Sequence, residues 1–474
     1  MRYELSPDDQ GSGYLQIKLF IENCHSEQIN LQMPAWRPGR YELQNFAQFI
    51  RKVKAVDGHN QNLPISKLSK DSWIIDTHTT DSVVVSYEFY ADMPNAGGSV
   101  IQRDFLYVNP VNCCMYIPSR QNEACEMEVN FNSNNDVACG MSHIKTEDKI
   151  YFTAKDFHEL ADSPFFISSK LHHLQYAVQD VQFHVWIRGA GEFPLDRIKA
   201  DFSRFTEAQI NVFGEFPEKE FHFMLWLSAQ ASYHGVEHSK STMMTLGPNT
   251  DNFDQLYTDL LGLASHELFH AWNVKRIRPV ELLPYDYCRE NYFTTCFVAE
   301  GITTFYGDWM LHRSGVFDDA AYQKELETTL RRHFETADTA DLSLLESSYD
   351  LWLDGYKKGA PDRKVSVYHK GAAAALILNY LIEQSTKGQR NLDDLMKLLW
   401  LRFGKPFKGY SYEDYIQAAE EIAGCSLSQY FKKVIEGNDS IFDDCNLALH
   451  EQNLTLQRNQ EGFVQLVTQS QEKQ

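Results

Sequence analysis

The chain has 474 residues and a formal net charge of −21, from 44 Lys and Arg against 65 Asp and Glu. Acidity of that size argues against a nucleic-acid or anionic-membrane surface, both of which need clustered Lys and Arg. A hydrophobic fraction of 43% with 25 Gly and 15 Pro describes an ordinary globular chain of two or three domains.

The stretch Met1 to Asp9 lacks the basic start and apolar core of a signal peptide. No uninterrupted apolar run approaches the ~20 residues that a transmembrane helix needs. The nine cysteines are irregularly spaced, and only Cys113 and Cys114 are close together. An odd count in a chain this large reads as reduced thiols and a cytoplasmic location.

Residues 1–172 are expected to form a β-rich domain, a sandwich or a saddle-shaped sheet. Leu15 to Ile21 alternates with period two, as does the aromatic end of Val83 to Tyr90. Polar turns such as Asn132 to Asp136 separate these runs. Residues 173–442 are expected to form an α/β and helical lobe. Val181 to Ile187 and Phe221 to Leu227 read as strands flanking a helix that includes Ala200 to Phe213. Helices are then expected over Asp254–Asn273, Val298–His312, Ala320–Phe334 and Gly371–Gln384. Residues 443–474 return to short alternating stretches and a polar, Gln-rich tail. The fold class is therefore α+β and multidomain, with a cleft expected between the α/β and helical parts.

The segment Ser265-His266-Glu267-Leu268-Phe269-His270 carries the clearest chemistry. Histidines at i and i+4 project from one helix face, so both imidazoles can reach one ion at ~2.0–2.1 Å. Glu267 then stands beside the ion, placed to activate the attacking water. A buried helix with two hydrogen-bonded histidines is the alternative that the motif alone leaves open. A catalytic zinc wants a third protein ligand and an open position. Glu300, a lone acid in the apolar stretch Phe297 to Ile302, is the candidate, because burying it needs a positive partner. Without the histidines it would read as a carboxylate at a helix start. Thr304 and Asp308 lie one and two turns further on and could orient a histidine; ordinary helix polarity explains them equally well.

His266 to Pro279, His-Glu-Leu-Phe-His-Ala-Trp-Asn-Val-Lys-Arg-Ile-Arg-Pro, closely resembles the signature of the glycyl aminopeptidase family of gluzincin zinc metallopeptidases. Met33 to Tyr41 resembles that family's N-terminal hallmark, Gly235 to His238 its Gly-Leu-Glu-His element, and Ser366 to Gly371 its Ser-Tyr-Tyr-x-Lys-Gly element. Val236 replaces the Leu, and Val367 replaces the first Tyr. The resemblance implies an N-terminal β domain followed by a thermolysin-like catalytic domain holding one Zn²⁺ per chain. It implies that His266, His270 and Glu300 are the metal ligands, that Glu267 is the base, and that Tyr368 stabilises the oxyanion. It further implies that Gly235 and Glu237 bind substrate, with Glu237 on the free α-amino group. Lys370 is expected to make a structural ion pair. Lys275, Arg276 and Arg278 are signature positions for which structural pairing is the expectation. About thirty residues after Asp443 leave no room for the C-terminal PDZ domain of many members.

The expected function is a zinc aminopeptidase acting on peptides with a free N-terminus and preferring Gly and Ala. The alternatives are a thermolysin-like endopeptidase and a non-catalytic peptide-binding protein on the same fold.

Overall fold

The computed structural model describes residues 1–8, 11–24, 26–78, 80–132, 134–249 and 252–468. Ser133 of the predicted turn and the end of the Gln-rich tail lie outside the described residues.

Residues 2–168 build three sheets. The largest has eight strands and contains the two alternating runs read from the sequence. Tyr14–Glu22 pairs antiparallel with Ser82–Tyr90, Leu19 facing Val85. The buried positions alternate along both, Leu15, Ile17, Leu19 and Ile21 against Val83, Val85, Tyr87 and Phe89. That alternation is what a sheet with one face in a core requires. A three-stranded and a four-stranded sheet complete this part.

A five-stranded mixed sheet follows, in the spatial order Leu171–Val178, Val181–Arg188, Glu220–Leu227, Ser241–Gly247, Ser232–Glu237. The three central strands are parallel and both edge strands are antiparallel to their neighbours. Glu220–Leu227 is buried on both faces beyond its first residue, as a central parallel strand must be. One face receives the helices Leu195–Phe213 and Asp254–Phe269. Across the other face, Met224, Trp226, Val236 and Met243 join Phe105, Tyr107, Ala138 and Phe166 of the four-stranded sheet in one apolar cluster. The edge strand Ser232–Glu237 contacts the helix Asp254–Phe269, so its end reaches the cleft.

Several predicted boundaries need correction. The first helix of the helical part ends at Phe269, with His270 as its C-cap, four residues short of the expected Asn273. Beyond it the chain coils into a turn in which Val274 takes a positive φ of 96° and Ile277 N–H returns to Trp272 O. The helix expected from Val298 opens as a π-helix, Phe297–Ile302, and becomes α-helical over Thr303–Arg313. The helix expected over Gly371–Gln384 is longer, His369–Thr386, whereas Leu195–Phe213 includes the predicted Ala200–Phe213. Phe442–His450 is helical where only short alternating stretches were expected. Cys445, Ala448 and Leu449 bury one face of it, a helical spacing too brief for periodicity to separate from strand. The strands Leu454–Arg458 and Val464–Thr468 then form a hairpin.

All nine cysteines are free thiols. Among the described residues no helix is long and apolar enough to cross a membrane.

Candidate metal centre

His266 and His270 project from the last turn of the helix Asp254–Phe269 with their Nε2 atoms 3.1 Å apart. Glu300 Oε2 comes within 3.9 Å of the first and 3.4 Å of the second. Ligand atoms on a tetrahedral ion at ~2.0–2.1 Å stand roughly 3.3–3.4 Å apart, so the three fit one zinc ion. His270 Nδ1 lies 2.9 Å from Asn273 O. That carbonyl accepts the Nδ1 proton, so Nε2 is the nitrogen that titrates and faces Glu300. The residue orienting His270 is therefore Asn273. Thr304 and Asp308, the predicted candidates, line the cavity, and no hydrogen bond joins them to either histidine among the described residues.

The electrostatics of the three groups also suit a cation. Burial disfavours charge on His270, yet the Glu300 carboxylate outweighs it and pushes the imidazole up to about 10. Burial raises Glu300 in turn, and His270 more than offsets this to hold it below the usual carboxylate range. His266 is pulled down to about 3 by burial and the neighbouring His270, so it stays neutral. A buried carboxylate between two imidazoles needs one positive charge among them, and a dication meets that need.

Glu300 owes its place to local backbone. Asn273 Nδ2 donates to two carbonyls of the π-helical turn, Val298 O at 2.8 Å and Ala299 O at 3.2 Å. The same amide reaches Thr303 Oγ1 at 3.0 Å. Tyr41 hydroxyl donates to the other Glu300 oxygen, Oε1, at 2.9 Å. A Cβ on Gly301 would run into the backbone of Gly371, so the Glu300 turn and the helix that begins after Tyr368 touch backbone to backbone. Trp272 stacks on Phe213 at 4.6 Å and donates to Glu215 O at 3.0 Å, anchoring the turn after His270.

Around this point a cavity of about 380 Å³ is lined by Gly235, Glu237, Glu267, Tyr368, His266, His270 and Glu300. Glu267 is 5% exposed and its Oε2 has no hydrogen-bond partner. Burial raises its carboxyl to about 8; His270 opposes this, and Glu237 and Glu300 add to it. Gly235 packs directly on that carboxylate, where a Cβ would collide with it. Glu237 ends the edge strand, 5% exposed, with no hydrogen bond or ion pair to its carboxylate among the described residues. Gly39, at φ 81°, abuts it and also leaves no room for a Cβ. Tyr368 is the N-cap residue of its helix, and burial first, then Glu300, keeps its hydroxyl well above the ordinary value.

Among the described residues Lys370 makes no ion pair. It is fully buried and its Nζ has no partner, so the expected structural pairing is overturned; burial lowers its pKa. Lys275 does pair, with Asp162 at 2.7 Å. The contribution of Tyr41 to Glu300 and of Asn273 to the π-helical turn escaped sequence reasoning, although both residues sit inside the motifs quoted above. A second trio, His184, Glu220 and His222, also converges. Trp186 Nε1–H donates to His222 Nδ1 at 3.1 Å, which puts the ring proton on Nε2 and denies an ion that nitrogen.

Two imidazoles, a carboxylate from the next helix and a buried glutamate beside them define a metal-dependent hydrolase site on a mixed sheet. Residues 2–169 match the family model of the Peptidase M61 N-terminal domain and residues 259–374 that of M61 glycyl aminopeptidase. The chain belongs to the M61 family and is a metallo-aminopeptidase of the gluzincin kind. It is similar to the solved aminopeptidase N family protein from Idiomarina loihiensis, at 26% identity and TM-score 0.89, over 97% of this chain and 79% of that one. It shares its fold with an M1 zinc metallopeptidase from Deinococcus radiodurans, at 12% identity and TM-score 0.58, over 92% and 93% of the two chains. A mutant of that enzyme bound to Tyr-Ser-Ala gives a TM-score of 0.57 at the same identity. No curated protein matches the chain.

Proposed function

We propose that the protein is an aminopeptidase holding one Zn²⁺ through His266, His270 and Glu300, which removes small N-terminal residues, chiefly Gly and Ala, from peptides. The bound ion supplies Lewis acidity and lowers the pKa of water at its open position. Glu267, buried in the same cavity with one carboxylate oxygen free of any partner, takes the proton of the attacking water and passes it to the leaving amine. Tyr368, kept protonated by burial, donates its hydroxyl to the developing oxyanion.

The observation that carries the exopeptidase reading is Glu237, a buried carboxylate that has no ion pair among the described residues and shares a cavity with His266, His270 and Glu300. Along the edge strand it lies two residues beyond Gly235, which packs on Glu267, a separation of about 6.6 Å at strand rise. An ammonium held by Glu237 therefore brings the first peptide carbonyl, and not a later one, beside Glu267. Gly39 closes over Glu237 without a side chain of its own, which favours a small first residue. The free thiols agree with work in the cytoplasm.

Zinc-loaded protein is expected to hydrolyse Gly- and Ala-arylamides at least about tenfold better than Leu- and Phe-arylamides. N-acetylated counterparts should be inert. Comparable turnover of the acetylated substrates removes the role given to Glu237.

A further inference from the structure

A second cavity, of about 330 Å³, lies behind the metal centre. Pro38 lines it, and the next residue, Gly39, lines the cavity of the metal centre. Its walls carry the signature cations Lys275, Arg276 and Arg278, with Tyr285, Tyr287 and Phe407 beside them.

Three of the acids on these walls are already committed. Asp162 accepts from Lys275 at 2.7 Å, pairs with His238 Nδ1 at 3.1 Å and accepts from Ser239. Glu159 accepts from Lys240 at 2.6 Å and from Lys155 N–H at 2.7 Å. Asp156 caps Glu159 N–H at 2.7 Å. Glu218 reaches Arg276 Nη1 only at 3.9 Å.

The cations are not balanced in the same way. Arg278 is 7% exposed, and its guanidinium donates only to Val274 O at 3.2 Å and Lys275 O at 3.0 Å. Among the described residues no carboxylate pairs with it, and no acceptor meets its Nη1. Arg276 donates to the carbonyls of Gly404 and Lys405, both at 3.3 Å. Flat apolar rings lie against both groups. Arg278 sits 4.1 Å from the Tyr285 ring centre and 5.1 Å from that of Phe407, and Arg276 is 5.3 Å from Phe407. In a chain of net charge −21, a walled pocket with guanidinium to spare is built against the general sign of the molecule. A buried cation without an acid is costly unless an anion completes it.

We propose that this cavity binds a small organic anion, a carboxylate carried on a planar ring, with Arg278 and Arg276 taking the carboxylate and Tyr285 and Phe407 flanking the ring. The occupant touches the wall that contains Asp162 and Lys275. His238, the partner of Asp162, follows Glu237 in sequence, and Lys275 N–H donates to His270 O at 3.2 Å. Occupation therefore bears on the amine end of the first cavity. The binding claim stands apart from the aminopeptidase reading; only its effect on KM rests on that reading.

Benzoate is titrated calorimetrically into the zinc-loaded full chain, with benzyl alcohol as the uncharged comparison. Saturable binding is expected, weakened at least about tenfold for the alcohol and in Arg276→Gln and Arg278→Gln. Arg276→Gln guards against misfolding, because that side chain is partly exposed and expected to leave the melting temperature unchanged. Glu267→Gln should bind benzoate like the wild type, and stripping the zinc should leave the affinity in place. KM for a Gly-arylamide should rise with benzoate in the wild type and stay constant in Arg276→Gln. Absence of saturable binding up to about 10 mM overturns the proposal. Equal affinity in both arginine variants, or affinity lost with the zinc, overturns it as well, the latter assigning benzoate to the metal centre.

Discussion

Gly235 and Glu267 show how one missing side chain can set a catalytic geometry. The glutamate packs so closely on the edge strand that a Cβ at 235 would occupy its carboxylate, and its whole side chain would have to swing aside. Gly235→Ala is expected to lower kcat by about 10²-fold or more, the range assigned to a positioned general base. Bound zinc and melting temperature should be nearly unchanged. Metal analysis, a thermal melt and single-substrate kinetics on one preparation read all three. At the same scale, the raised His270 of the metal-free protein predicts a pH effect. Its ordinary pKa is about 6.5, and its folded value is about 10. A group raised on folding stabilises fully below its unfolded value, and that contribution is lost as pH rises through the folded one. Zinc must displace the same proton, so zinc affinity should climb with pH up to about 10 and then level off, with net proton release below that value. Calorimetry in two buffers of different ionisation enthalpy counts the protons.

The turn carrying Glu300 shows where periodicity stops being informative. The apolar run from Phe297 marks a helix, and a helix is there, but its first turn is π-helical. A π-helical turn and an α-turn share the same composition, since what separates them is which carbonyl each amide finds. Asn273 decides this from outside by occupying Val298 O and Ala299 O. Asn273→Ala should take the side-chain donor from Val298 O, while Ala299 O keeps the Thr303 hydroxyl at 2.7 Å, and destabilise the chain by about 1–3 kcal/mol. Urea unfolding of the metal-free protein measures it, and an unchanged midpoint would show that the turn holds itself. The early end of the preceding helix has a similar origin. Residues 270–273 are good helix neighbours by composition, but Trp272 is drawn into a stack on Phe213 and the chain turns there.

Across the whole molecule, the N-terminal sheets do more than precede the catalytic lobe. They share an apolar cluster with the five-stranded sheet, and the segment between their strands Gln28–Gln32 and Ile50–Asp57 delivers Tyr41 to Glu300 and Gly39 to Glu237. Tyr41→Phe removes one hydrogen bond to Glu300 from more than 250 residues away in sequence. Zinc affinity is expected to fall about 10-fold to 100-fold, the usual weight of a group that steadies a metal ligand. Competition against a fluorescent chelator reads this, and no change would make the Tyr41 contact incidental.

What the residues alone determined was local and periodic: two histidines one turn apart, a glutamate between them, alternating strands, and motifs whose order along the chain names the family. Those features survive because they depend on neighbours three or four positions away. Tertiary structure decided the rest. It brought Glu300 within 3.4 Å of His270, made Asn273 and Tyr41 its supports, and left Lys370 without the ion pair expected of it. Such contacts join segments far apart in the chain, and only packing sets the distance between them.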